Sequence, residues 1–169
     1  MDSEGQVLRS YDPLSSYPHH AAFSHDSTQL FVNSCHLYGG CTLAAPLGEG
    51  VAAAPENAEN EDLPVLNSDW RVCTSATLPG VLIVGHAYGY LHAADGQGKE
   101  LWRHHVGSTM SAIDVSPDGQ TIVAASYGGY LVHLQRSDAG IDPYSIGTSP
   151  YTEVHRWIFW DKESAPLRW

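Results

Sequence analysis

MSAIDVSPDGQTIVAASYGGYLVHL, residues Met110 to Leu134, reads as strand, tight turn, strand, tight turn, strand. Ala112, Ile113 and Val115 form a short apolar run. Ser116-Pro117-Asp118-Gly119 is a turn with a mechanism: proline presets φ at the first corner, aspartate bonds nearby backbone, and glycine takes the positive-φ position. Thr121 to Ser126 is a second run, rich in small and β-branched residues, and predicts a strand buried on both faces. Tyr127-Gly128-Gly129 is a second turn, and Tyr130 to Leu134 a third strand. Three short antiparallel strands in 25 residues are the repeating unit of several all-β folds.

The unit recurs. Phe23-Ser24-His25-Asp26-Ser27-Thr28-Gln29-Leu30-Phe31-Val32 lines up with Val115-Ser116-Pro117-Asp118-Gly119-Gln120-Thr121-Ile122-Val123-Ala124. The second turn returns as Tyr38-Gly39-Gly40, Tyr88-Gly89-Tyr90 and Tyr127-Gly128-Gly129, each after an apolar strand. Their tyrosines lie 50 and 39 residues apart, and the longer interval holds an acidic, alanine-rich insertion. A period near 40 with about four short strands per unit points to propeller blades.

On these residues the chain resembles β-propeller repeats of the WD40 and quinoprotein-like kind. Asp95-Gly96-Gln97-Gly98-Lys99-Glu100-Leu101-Trp102, a turn feeding an outer strand, adds to the likeness, whereas the Trp-Asp and Gly-His signatures of true WD40 blades are absent. The resemblance implies an all-β, propeller-like single domain over 1–169 with about three four-stranded antiparallel blades, at 17–69, 70–109 and 110–163. Gly5-Gln6-Val7-Leu8-Arg9-Ser10 is similar to Gly98 to Arg103, so 1–16 is expected to supply a closing strand. The resemblance says little about function, because propellers host many activities.

Composition narrows the partners. The 169 residues are 43% hydrophobic, yet the formal net charge is −11. That acidity argues against direct binding of nucleic acid or an anionic membrane and favours a basic partner. No apolar run reaches the length of a membrane span and no amino-terminal secretory pattern is present. Three cysteines, Cys35, Cys41 and Cys73, without metal-type spacing predict reduced thiols filling core space and a cytoplasmic setting. Residues 48–69 carry six acids with no periodicity and predict a surface excursion, with Pro64-Val65-Leu66 regaining an outer strand. Gln135 to Pro150 predicts a long loop exposing Ile141, Tyr144 and Ile146, a common position for function on a rigid β scaffold.

Three blades pose a physical problem, since propellers typically close with four to eight, about, and an open arc bares two sheet faces. A second copy, a different chain or the tails must complete it. A homodimer giving a six-bladed ring is the economical solution.

Chemistry-bearing clusters are weak. His19-His20 with His25, Cys35-His36 with Cys41, and His104-His105 lack the spacing of a structural zinc site, and neighbouring histidines on a strand point to opposite faces. No serine sits in a nucleophile elbow. The paired glycines answer to turn geometry rather than to a phosphate. Neither a metal nor a cofactor is expected, and the apolar inner strands weaken the reading as a channel hydrolase or lyase.

The tail, Arg156-Trp157-Ile158-Phe159-Trp160 through Pro166-Leu167-Arg168-Trp169, holds three tryptophans with arginines beside two of them. Cation–π stacking, or burial of the aromatics against the last blade, follows from that pattern. The tail resembles that of bacterial propeller-like proteins associated with polymorphic toxin systems as immunity proteins. The resemblance implies a non-catalytic protein that neutralises a toxin by occlusion, the alternative being a general interaction scaffold. A nuclease or deaminase toxin would offer a cationic groove that an acidic face complements. The expected contact residues are Tyr88, Tyr90, His104, His105, Tyr127, Tyr130, Asp142 and Tyr144.

Overall fold

The repeat read in the sequence is the repeat of the fold. The computed structural model describes residues 4–5, 17–36, 39–47, 63–137 and 140–168. Thirteen strands run through them: β1 (Pro18–Phe23), β2 (Gln29–His36), β3 (Gly39–Pro46), β4 (Val65–Asn67), β5 (Val72–Leu78), β6 (Val81–His86), β7 (Tyr90–Asp95), β8 (Glu100–His105), β9 (Met110–Val115), β10 (Thr121–Ser126), β11 (Tyr130–Arg136), β12 (Tyr151–Ile158) and β13 (Leu167–Arg168). They form three antiparallel meanders, β1-β2-β3-β4, β5-β6-β7-β8 and β9-β10-β11-β12 with β13 added at the outer edge. Pro64-Val65-Leu66 thus regains an outer strand as expected, β4 pairing with β3. The expected closing strand in 1–16, Tyr38 and most of the acidic excursion lie outside the described residues.

The first turns of sheets one and three are built alike. Ser116 Oγ donates to Asp118 Oδ1 at 2.6 Å and accepts from the Thr121 amide at 2.9 Å. Ser24 Oγ does the same with Asp26 Oδ1 at 2.7 Å and the Gln29 amide at 2.9 Å. The carboxylates accept from the Gln120 and Thr28 amides. These bonds hold the Asp26 carboxyl down at about 2, the Ser24 hydroxyl contributing most, and Asp118 is lowered for the same reason. In the second turns, the positive-φ residues Gly89 and Gly129 are equivalent. Tyr90 therefore matches Tyr130, and Tyr88 matches Gly128, one residue away from the sequence alignment.

Packing between sheets makes two cores. Phe31, Ala44, Leu66, Trp70, Val72, Leu82 and Val84 join sheets one and two. Asn33 closes that seam with its amide group, donating to Thr42 Oγ1 at 2.9 Å and the Trp70 carbonyl at 3.0 Å. Ile83, Leu91, Trp102, Met110, Ile122, Val132, Leu134 and Tyr151 join sheets two and three. The Tyr151 hydroxyl donates to the Gly119 carbonyl at 2.6 Å, so the turn of the opening repeat is anchored on the outer strand.

Two expectations are corrected. β10 is not buried on both faces: Ile122 and Ala124 enter the core while Val123 is exposed. Sheet two is sandwiched between neighbours, but sheet three has only sheet two beside it among the described residues. Nor are the tail's described aromatics fully buried, Trp157 being half-buried. β13 pairs along the edge of β12, Arg168 lies over the Trp157 ring at 5.9 Å, and Phe159 and Trp160 stay exposed. Of the three thiols, Cys35 is buried, whereas Cys41 and Cys73 are half-buried.

Candidate functional site

The segment between β11 and β12 does not trail over solvent. It crosses to sheet two and runs along the free edge of β8. Gly147 bridges to His104, the His105 amide donates to the Ile146 carbonyl at 2.9 Å, and the Thr148 amide donates to the Arg103 carbonyl at 2.9 Å. Those ladder-like bonds cover an edge that would otherwise expose unpaired backbone groups. They also clasp sheet three onto the rim of sheet two. Gly147 has φ +145°, and a Cβ there would overlap the Arg103 carbonyl, so close approach of the two backbones needs glycine.

Between this clasp, the end of β8 and β12 lies a cleft of about 390 Å³, lined by His104, His105, Val106, Asp142, Tyr144, Ser145, Ile146, Glu153 and Arg156. Four expected contact residues, His104, His105, Asp142 and Tyr144, meet here although up to 40 positions separate them, about. Asp142 shapes the loop, accepting from the Tyr144 amide at 2.9 Å and the Ser145 hydroxyl at 3.3 Å. That turn pushes the Tyr144 ring into solvent, 95% exposed, with Ile141 and Ile146 also exposed beside it.

Glu153 and Arg156 form the cleft's back wall. Arg156 Nε and Nη2 donate to the two Glu153 oxygens at 2.7 and 2.8 Å, and Nη1 donates to the Val106 carbonyl at 3.0 Å. The guanidinium lies 5.1 Å from the centre of the Tyr130 ring. Its pKa is raised, chiefly by the Glu153 bond. Residues three apart on a regular strand face opposite ways. Here the register shifts between His133 and Leu134, whose partners are His155 and Glu153, and Val154 is the extra residue. The bulge brings Glu153 and Arg156 to one face. Sequence reasoning missed this pair because no local signal marks a bulge.

His104 is 2% exposed. Burial pushes its pKa below the ordinary histidine value, Glu153 and Asp142 pull it back up, and Arg156 and His105 push it down. Its Nδ1 has no hydrogen-bond partner among the described residues.

Tyr90 joins the rim through the His105 ring, with centroids 4.6 Å apart, and continues to His92 at 5.6 Å and then Trp70. Tyr90 and Tyr130 are half-buried packing residues. Tyr88 and Tyr127 are exposed, 54% and 79%, and do not line this cleft. The Tyr88 amide donates to His86 Nδ1 at 3.0 Å, and Tyr127 borders a separate cleft with His19, Arg71, Cys73, Ala87 and Thr109. The eight expected residues thus divide into a group of six around the rim cleft and two exposed turn tyrosines. Among the described residues no group of three or more His, Cys, Asp or Glu side chains is arranged to hold a metal ion.

No family model matches the chain, and no curated protein matches it. Solved structures do. Kuenenia stuttgartiensis hydrazine synthase is similar with a TM-score of 0.51 and 21% identity, over 80% of this chain and 36% of that one. The Myceliophteria thermophila Cps50 (Swd1) β-propeller domain is similar with a TM-score of 0.53 and 10% identity, over 78% of this chain and 42% of that one. The chain therefore spans well under half the length of either. At these identities the likeness speaks to fold alone. Joined to the three antiparallel meanders and their shared turn chemistry, it gives the chain a β-propeller-like, all-β fold.

Proposed function

We propose that the chain is a non-catalytic binding protein that neutralises a bacterial toxin by covering a basic active site. The observation that carries this reading is the clasped rim. Exposed Ile141, Tyr144 and Ile146 project from a segment hydrogen-bonded to β8, beside the carboxylates of Asp142 and Glu153. Aromatic and apolar anchors on a pre-ordered segment lose little entropy on docking and are favoured hot spots. The net charge of −11 supports a cationic partner and fast association with it. The tail's resemblance to immunity proteins directs the choice of partner towards a secreted nuclease or deaminase, whose substrate phosphates need a positive groove.

Co-expression with a basic effector encoded beside this chain tests the reading. A stoichiometric complex with suppressed toxin activity is expected. Tyr144→Ala and Ile146→Ala should each weaken it by about 2 kcal/mol. A toxin that stays active and unbound at excess protein overturns the immunity role, and capture of an unrelated subunit instead would mark a general interaction scaffold.

A further inference from the structure

The hydrogen-bond inventory of the rim cleft says what kind of group it lacks. Its one guanidinium is occupied: Arg156 spends Nε and Nη2 on Glu153 and Nη1 on the Val106 carbonyl. The acceptors are not exhausted. Among the described residues Asp142 accepts from one amide and one hydroxyl, the latter at 3.3 Å, against about four lone-pair sites on a carboxylate. His104, 2% exposed, has its Nδ1 without a partner among the described residues, an acceptor in the tautomer that carries the proton on Nε2. Two carboxylates, Asp142 and Glu153, face one cation, Arg156, across the same space. The cleft thus has a surplus of acceptors and a net negative charge.

Its other walls suit a long amphipathic side chain. Ile146, 63% exposed, offers apolar surface to a methylene stem. The Tyr144 ring stands at the mouth, free for a planar cation to stack upon. The cleft volume of about 390 Å³ lies in the range of small-ligand sites, roughly 300–1,000 Å³. We infer that the rim cleft is a receptor for a basic side chain of the partner protein, arginine in preference to lysine, bound between Asp142 and His104 with its guanidinium against Tyr144. A planar fork of donors fits a carboxylate and an aromatic face together, which an ammonium does not. The inference rests on the proposed function, in that it names the chemical group by which the partner is held, but the cleft can be tested without any partner.

The probe is Nα-acetyl-L-arginine methylamide, with the corresponding citrulline derivative as its neutral isostere, titrated into the full chain and followed by NMR. Saturable shifts are expected at the amides of Asp142, Tyr144, Ser145 and Ile146 and at the His104 ring, with a dissociation constant on the order of 10 mM. The lysine derivative should bind several-fold more weakly, and citrulline about ten-fold more weakly or not at all. Asp142→Asn keeps the oxygen that receives the Tyr144 amide and should weaken arginine by about ten-fold, with an unchanged spectrum elsewhere. Equal shifts from citrulline, shifts confined to other surfaces, or no saturable shift overturn the inference. Arginine binding without toxin inhibition would overturn only the immunity role. Inhibition that survives Asp142→Asn, with no arginine binding, would overturn only the cleft assignment.

Discussion

Ser27 shows how much one residue can say. It has φ 59°, the only non-glycine positive φ among the described residues, and occupies the corner that Gly119, φ 68°, fills in the third sheet. The surrounding bonds are the same: the Ser27 amide donates to the Ser24 carbonyl at 2.9 Å and the Gly119 amide to the Ser116 carbonyl at 2.8 Å. A side chain in that conformation costs about 1 kcal/mol. Ser27→Gly is therefore expected to stabilise the fold by about 0.5 kcal/mol, after the extra chain entropy of glycine, raising the melting temperature by about 1–2 °C. A lower melting temperature would mean that the two turns are not equivalent.

At the scale of elements, the clasp between β11 and β12 couples two sheets through backbone bonds. Its weak point is Gly147, where a side chain would collide with the Arg103 carbonyl. Gly147→Val should detach the clasp from β8, at a cost of about 1–3 kcal/mol. Hydrogen exchange at the His105 and Thr148 amides, both bonded across the seam, should then accelerate while exchange in β6 and β10 changes little. Slow exchange retained at both amides would show that the clasp tolerates the side chain. Partner binding should fall with clasp detachment, since Tyr144 and Ile146 would lose their fixed presentation.

Across the whole molecule, sheet three carries a copy of a buried interface that no described residue covers. Pairing registers make Val123, Leu131, His133 and His155 equivalent to Ile83, Leu91, Ala93 and Trp102, which sheet two buries against sheet three. The His133 and His155 rings stack there, with centroids 5.6 Å apart. Continuity with that seam leads us to expect a second copy on this face, so light scattering should read twice the chain mass of 18.3 kDa. Leu131→Lys should return the single-chain mass; a single-chain mass for the unaltered protein excludes self-pairing.

Acid acts on the molecule as a whole. His20, His86, His92 and His104 all have folded pKa values lowered from 6.5, with burial the largest cause. The unfolded chain then binds more protons than the folded one below that value. Their contribution to stability is complete above pH 6.5 and is lost as pH falls through the folded values. The melting temperature should drop between about pH 7 and about pH 5, and a flat profile would contradict burial of these rings.

The repeat is legible in the local sequence. Ser24-x-Asp26 and Ser116-x-Asp118 announce one turn chemistry through local bonds, and a turn with local bonds is legible without knowing what packs on it. The sequence also marked Asp142, Tyr144, His104 and His105 as worth watching, because a long loop and adjacent strand histidines are local features. Their meeting is a property of the three-dimensional fold. The loop's pairing with β8 joins residues about 40 positions apart, and the bulge at Val154 turns Glu153 and Arg156 to one wall. Whether a strand face is buried also lies beyond local reading: Val123 and Ile83 are both apolar strand residues, and a neighbouring sheet, which Ile83 has and Val123 lacks among the described residues, separates buried from exposed.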